Sequence, residues 1–146
     1  MRSTDRIRAR AGRGPVACFV LLAAVALAGC QSVTAVQHDG TFALQVGDRA
    51  RVNNGDFVLH FVAVPQDSRC PVDVQCVWAG DAAVRVELTS SGRTRQRDLH
   101  TNSTVGSVSA EHDGYVVELL DLTPVPRSGQ VIEQGDYTAR LRLSRT

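Results

Sequence analysis

The amino-acid sequence predicts an all-β domain, a small antiparallel β-sandwich or partly open barrel of about seven strands with one short-loop disulfide. Short segments carry apolar residues at every second position, the period of a strand that buries one face. Turn-forming residues separate these segments, and no segment after residue 29 carries an apolar stripe at helical spacing. The 146 residues, 43% of them hydrophobic and 21% charged, suffice for one domain with one core.

The first strands are predicted from alternation and from a turn signal. In residues 41–46 the apolar side chains share one face of an extended chain. The dipeptide Asn54-Gly55 is typical of a tight hairpin turn, because both central positions of such a turn need a positive φ angle. It separates the predicted strands 49–53 and 57–64, and the second of these is apolar on both faces, which suits a central strand.

The next pair of strands differs in polarity. Residues 82–89 alternate between apolar and charged side chains, which predicts a strand with one face in the core. Residues 94–100 are polar and are predicted to form an edge strand. Arg93, Arg95 and Arg97 would oppose the pairing of that edge with other chains.

The C-terminal part is predicted to contain a loop and two strands. Residues 101–113 are rich in Ser, Thr and Gly and are predicted to be a loop. The strand 115–122 is expected to end before Pro124 and Pro126, because proline cannot donate a hydrogen bond to a neighbouring strand. The alternating segment 137–143 is the last predicted strand.

The N-terminal residues are predicted to be an export signal. Met1–Gly14 contains five arginines and one acidic residue, and residues 16–28 are thirteen residues without a charge. A helix of that length spans about 20 Å, which is shorter than the hydrocarbon core of a bilayer. The ending Leu27-Ala28-Gly29-Cys30 resembles the bacterial lipoprotein signal. The alternative is an ordinary secretory signal with a chance cysteine near its end.

The resemblance to a lipoprotein signal implies three segments. Residues 1–29 are the signal peptide, residues 30–39 a lipidated tether and residues 40–146 a single β domain. Acyl chains on Cys30 would hold the protein on a membrane essentially permanently, because each buried methylene contributes about 0.8 kcal/mol. Gln31 follows the cysteine, which by resemblance to Gram-negative lipoproteins indicates the outer membrane, facing the periplasm.

The charge excludes some classes of partner. Without residues 1–29 the chain has eleven arginines and fourteen acidic residues, a net charge of about −3. Such a domain is not attracted to nucleic acid or to anionic lipid head groups by charge. The lipid on Cys30 is therefore expected to provide the membrane attachment.

Two cysteines are predicted to form a disulfide. Cys18 lies in the predicted signal and Cys30 is the predicted lipid acceptor, so Cys70 and Cys76 remain in an exported chain. The alternative is a metal or redox pair. Redox motifs, however, have two residues between the cysteines, and structural zinc sites usually need four ligands.

The segment around these cysteines carries the most specific pattern. It reads Asp-Ser-Arg-Cys-Pro from Asp67, then Val-Gln-Cys-Val-Trp-Ala-Gly ending at Gly80. This element resembles a family of uncharacterised bacterial lipoproteins and exported proteins, which also share a later Pro-x-Pro and a final strand with a tyrosine. Pro124, Pro126 and Tyr137 match those features. The resemblance supports the fold and implies no activity, cofactor or catalytic residue.

Two interpretations of this element are open. In the first it is a stapled corner, in which Trp78 packs on the disulfide or caps the core and Arg69 pairs with Asp67 or Asp73. In the second, Asp67, Arg69, Asp73 and Trp78 belong to a binding loop with Arg69 and Trp78 as anchors, residue types enriched at binding hot spots. Burial of Trp78 would favour the first interpretation.

The sequence predicts a lipoprotein that is not an enzyme and has a binding or structural role. Its predicted partners are a membrane, reached through Cys30, and an envelope protein, and no cofactor or metal site is predicted. The alternative function is periplasmic binding of copper or zinc by histidines. A third hypothesis is a hydrolase with a Ser-His-Asp set, although no G-x-S-x-G motif is present. The four histidines are His38, His60, His100 and His112.

Overall fold

The computed structural model of the chain describes residues 33–36, 39–52 and 55–146. The predictions for the signal peptide, Cys30, His38 and Asn54 lie outside these residues. The described strands are β1 (Val33–Val36), β2 (Gly40–Gln45), β3 (Arg49–Val52), β4 (Phe57–Asp67), β5 (Ala82–Ser90), β6 (Arg93–His100), β7 (Ser109–His112), β8 (Tyr115–Thr123) and β9 (Thr138–Arg145), with one 3-10 turn at Gln134–Asp136.

The strands form two sheets that face each other. One sheet has five strands in the order β1-β3-β4-β5-β6, and the other has four in the order β2-β9-β8-β7. The pairing of β1 with β3 is parallel and all other pairs are antiparallel. The predicted all-β class is confirmed, and the two sheets do not close into a barrel.

The core lies between the sheets because the strands alternate in burial. Along β4, Phe57, Leu59 and Phe61 are buried, whereas the residues between them are partly exposed. The same alternation in β5, β8 and β9 joins buried residues of both sheets into one apolar cluster. The period of two seen in the sequence therefore corresponds to the faces of a sandwich.

Two strands were not predicted. β1 lies within the predicted tether, and its side chains are mostly exposed, so that its position depends on the parallel pairing with β3. β7 lies in the segment predicted as a loop. Its inward residues are Ala110 and His112, and a small and a polar side chain give no apolar alternation that sequence reading could detect.

β4 extends three residues beyond its predicted end, through Pro65. Its pairing with β5 is irregular between Phe61 and Gln66, which is where a proline can be accommodated in a central strand. The side-chain amide of Gln134 accepts a hydrogen bond from the Val64 N–H at 2.9 Å and donates one to the Val64 carbonyl at 2.8 Å. The backbone groups at this irregularity are therefore satisfied by the connection between β8 and β9.

β6 is an edge strand, as predicted. Arg93, Arg95 and Arg97 are exposed and share the face of β6 that buries Leu99. Arg93 is held by Asp113 at 2.8 Å, in the turn between β7 and β8. Charges at these inward positions oppose edge-to-edge association.

Within residues 33–36, 39–52 and 55–146, no helix is long and apolar enough to cross a membrane.

We expect Phe61→Ala to lower the free energy of unfolding by about 3–5 kcal/mol, because Phe61 is fully buried and its removal leaves a cavity. The matched control is Val131→Ala, whose side chain is 80% exposed and should alter stability by less than about 0.5 kcal/mol. Urea unfolding measures both. Equal effects of the two substitutions would contradict the placement of the core.

Candidate functional site

Three connections meet at one end of the sandwich. They are residues 68–80 between β4 and β5, residues 101–108 between β6 and β7, and residues 124–131 between β8 and β9. We call these three segments the loop end. They meet because β4, β6 and β8 run towards this end and the strand after each of them runs away from it.

The predicted disulfide between Cys70 and Cys76 is confirmed, with the two Cα atoms 6.0 Å apart. Backbone hydrogen bonds close the same loop below it. The Ser68 N–H donates to the Asp81 carbonyl at 2.7 Å, and the Cys70 N–H donates to the Ala79 carbonyl at 3.2 Å. Residues 68–80 therefore form a short loop whose two sides are cross-linked, and we call this loop the finger.

Gly80 is required by the base of this finger. Its φ angle is +69°, and a Cβ atom there would lie 1.9 Å from the carbonyl oxygen of Ser68. A side chain at this position would push the two sides of the finger apart. The close approach of the two sides of the finger thus explains the glycine that ends the sequence element, Gly80.

Arg69 pairs with Asp67, one of its two predicted partners. The guanidinium donates to both Asp67 carboxylate oxygens, at 2.9 Å and 2.6 Å, and also to the carbonyls of Leu122 and Pro124 at the end of β8. The exposed fractions of the Arg69 and Asp67 side chains are only 13% and 10%. Both groups therefore face inward, where they link the two sheets.

Tyr137 completes this network, and sequence reading did not connect it with Asp67. Its hydroxyl donates to Asp67 at 3.1 Å across 70 residues of chain. Burial raises the pKa of Asp67, but the hydrogen bonds and charge of Arg69, together with the Tyr137 hydroxyl, outweigh burial and leave it below its usual range. Burial and the Asp67 charge raise the pKa of Tyr137.

Asp73 has a different role from Asp67. Its carboxylate accepts the Ser128 N–H at 2.9 Å, which lowers its pKa, and the Val72 N–H donates to the Pro126 carbonyl at 3.0 Å. The tip of the finger is thus attached to the 124–131 segment. Asp73 fixes two loops relative to each other and does not pair with Arg69.

Trp78 neither packs on the core nor caps it. Its exposed fraction is 82%, and that of the neighbouring Val77 is 88%. The hydrogen bonds at the base of the finger hold Ala79 and Cys70 together, and Trp78 lies on the outer side of that pairing. The stapled-corner interpretation is therefore right for Arg69 and for the disulfide, and its expectation that Trp78 is buried is wrong.

Trp78 belongs to an apolar surface. An open groove of about 600 Å³ runs beside it, lined by Val77, Gly80, Asp81 and Val105, among others. Seven of the eight large apolar side chains that are exposed in the described residues lie at the loop end. We call these seven the apolar apex: Val72, Val74, Val77, Trp78, Val105, Val125 and Val131.

The floor of the groove is a buried polar network. Asp81, 3% exposed, accepts hydrogen bonds from His100 Nδ1 at 2.6 Å, from the Asn102 N–H at 2.9 Å and from the Thr101 hydroxyl at 3.2 Å. Gly106 lies against the imidazole, since a Cβ atom there would come within 2.2 Å of the His100 ring. The network holds the 101–108 segment, and no motif in the sequence indicated it.

The described histidines do not converge. His60 lies 3.3 Å from Glu87, His100 contacts Asp81, and His112 Nε2 lies 3.2 Å from the Arg93 carbonyl. No group of three metal-ligating side chains is found in the described part of the chain. Within the same residues, no serine hydroxyl is hydrogen-bonded to a histidine.

Comparisons of the chain with protein-family models, with curated proteins and with solved structures gave no match.

We expect Cys70→Ala/Cys76→Ala to unfold at a lower temperature than the oxidised protein, because a seven-residue disulfide loop restricts the unfolded chain by about 2 kcal/mol. Thermal unfolding with and without reductant measures the effect. Reductant should lower the Tm of the parent protein and leave that of the double variant unchanged. A reductant effect of the same size on both proteins would contradict the prediction.

We expect Asp81→Asn to lower the free energy of unfolding by about 1–3 kcal/mol at neutral pH, because His100, Thr101 and Asn102 would lose an ionised acceptor. Burial alone raises the pKa of Asp81, but these hydrogen bonds and the His100 charge outweigh it and lower the pKa. The stabilisation is therefore complete above the pKa of the unfolded chain and is lost as the pH falls through the lower, folded value.

The stability difference between parent and Asp81→Asn should accordingly shrink when the pH is lowered from 7 to about 3. Urea unfolding at the two pH values measures it. Asp56→Asn, at an exposed turn position, is the control, and its free energy of unfolding should equal that of the parent at both pH values. A difference that stays constant or grows in acid would contradict the assignment to Asp81.

Proposed function

We propose that this protein is an exported bacterial lipoprotein, anchored by Cys30 and facing the periplasm at the outer membrane, whose β domain has a non-catalytic binding role. The binding surface is the loop end. The observation that carries this proposal is the apolar apex, because seven of the eight large apolar side chains exposed in the described residues lie at one end of the domain and the eighth is Val33. A cluster of this kind marks an interaction surface.

The loops that present the apolar apex are held in place. The disulfide pins the finger, Arg69 ties its base to the end of β8, and Asp81 holds the 101–108 segment. A surface that is already ordered loses less conformational entropy on binding. Trp78 is therefore exposed on loops that are held in one conformation by these contacts.

A binding role is supported by what the ionisable groups of the loop end already do. Asp67 and Arg69 neutralise each other, Asp81 is occupied by His100 and two other donors, and Asp73 accepts a backbone N–H. Each of these groups has a structural partner. The large apolar side chains exposed for contact with a partner are those of the apolar apex, and Arg127 is exposed beside them.

The lipid anchor would be close to the domain. β1 begins at Val33, so only Gln31 and Ser32 lie between Cys30 and a strand of the five-stranded sheet, and Val33 is three residues on from Cys30. Three extended residues span about 10 Å. As long as β1 stays paired, the membrane-attached end of the chain remains beside the domain instead of being separated from it by a ten-residue tether.

We expect Cys30→Ala to move the protein from the membrane fraction to the soluble periplasmic fraction, because the thiol that accepts the lipid is absent. Cys18→Ala is the matched control and should stay with the membrane, since Cys18 lies in the segment predicted to be cleaved. Fractionation and the mass of the mature N-terminus measure both. Membrane retention of Cys30→Ala, or a mature N-terminus other than a modified Cys30, would overturn the anchor.

A further inference from the structure

We propose that the apolar apex lies in the interface of the bilayer that carries the lipid anchor, so that the domain touches this membrane directly through Trp78 and its valine neighbours. The inference names the partner of the loop end, and for its geometry it rests on the proposed lipid anchor. The ligand class is the lipid-water interface itself. The proposal depends on the charge distribution of the domain, on the residue types of the apex and on the direction of β1.

The loop end is almost free of charge. Residues 68–80 contain two charged side chains, Asp73 and Arg69, and Asp67 neutralises Arg69. Residues 101–108 contain none, and residues 124–131 contain only Arg127. A protein partner is usually met with a polar and charged rim around the apolar centre. The polar side chains that line the groove beside Trp78 are uncharged except for Asp81, which is held by His100, and such surroundings suit a tryptophan in the interfacial region of a bilayer.

Trp78 is the residue type that this region favours. Tryptophan has a large apolar ring and one N–H donor, so it is stable where one side is apolar and the other is wet. At 82% exposure its ring is available, and Val77 and Val105 line the same groove. The mature domain is acidic, so the attraction would come from apolar burial and not from anionic head groups.

The opposite end of the sandwich has the contrasting character. A shallow polar depression there is lined by Asp56, Arg93, Asp113 and Arg145, all exposed. Charged groups are costly to bury against the apolar part of a bilayer and are stable in water. The two ends of the domain therefore define one orientation, with the loop end towards the bilayer and the charged end away from it.

The direction of β1 agrees with this orientation. In the parallel pairing of β1 with β3, Val33 lies opposite Arg49 and Val36 lies opposite Val52. Arg49 in turn pairs with His60, and β4 continues from there towards the loop end. Val33 is thus the end of β1 nearer to the loop end, so a lipid on Cys30 would draw this half of the domain towards the membrane.

Trp78 is the single tryptophan of the chain, so its fluorescence reports on the apex alone. The purified lipoprotein is reconstituted in vesicles of phosphatidylethanolamine and phosphatidylcholine. We expect the Trp78 emission to shift to shorter wavelength, and to be quenched by lipids brominated in the upper part of the acyl chain. Co-flotation of the protein with the vesicles is measured in the same samples.

The matched control moves the tryptophan to the charged end. Trp78→Phe combined with Asp56→Trp keeps one tryptophan in the chain, and brominated lipid should leave its emission unquenched. In unlipidated Cys30→Ala protein, Trp78→Ser should lower the partition onto the same vesicles about tenfold, the effect of withdrawing one large apolar side chain from the interface.

The outcomes separate the two proposals. If the lipoprotein floats with the vesicles while brominated lipid does not quench Trp78, the anchor stands and the bilayer contact is overturned, which leaves a protein as the occupant of the apex. Equal quenching of Trp78 and of the control tryptophan also overturns it. If the lipoprotein does not float with the vesicles, the lipid anchor is overturned. In that case the bilayer contact is tested with the Cys30→Ala protein. Quenching of its Trp78 by brominated vesicles would support the contact, and absence of quenching would overturn it.

Discussion

The loop end depends on one ion pair that is largely shielded from solvent. Arg69 bonds to both oxygens of Asp67 at the end of β4 and reaches the carbonyls of Leu122 and Pro124 at the end of β8, which belong to opposite sheets. A buried guanidinium is tolerated only when its charge and its donors are satisfied, so these four acceptors must stay in place together. The pair thereby fixes the distance between the sheets at the end where the three connections meet.

The apolar apex depends on that constraint. The finger between β4 and β5 starts directly at Arg69, and its tip is fastened to the 124–131 segment through Asp73 and Ser128. On the other side of the groove, Asp81 holds the 101–108 segment. The polar network therefore lies beneath the loops and satisfies their backbone, while the apolar side chains point outward. In a protein core the apolar side chains are buried, whereas here the polar groups are inside and the apolar side chains are exposed. This is the basis for proposing that a partner of low polarity covers the surface.

Much of the fold could be predicted from local patterns. The seven segments predicted as strands all form strands, and the edge position of β6 was predicted from its polar residues and arginines. β7 was missed because His112 occupies an inward position and is satisfied by the Arg93 carbonyl. β1 was missed because its stability comes from pairing with β3 and not from a buried face.

At the site, the cysteine pair was predictable from its spacing and from the predicted export of the chain. The contacts of Asp67 with Tyr137 and of Asp81 with His100 were not predictable, because they join residues far apart in the chain.

By itself the sequence determined the class of fold and the disulfide, because each of these depends on residue types at short spacing. The export signal and the lipid attachment at Cys30 stay predictions from the sequence. Only the tertiary structure decided that Arg69 faces inward and Trp78 faces outward. The two side chains lie nine positions apart in one loop, and the direction of each depends on whether acceptors from the end of β8 or only solvent lie opposite to it. Such acceptors are brought into place by the packing of the two sheets, which no local pattern contains.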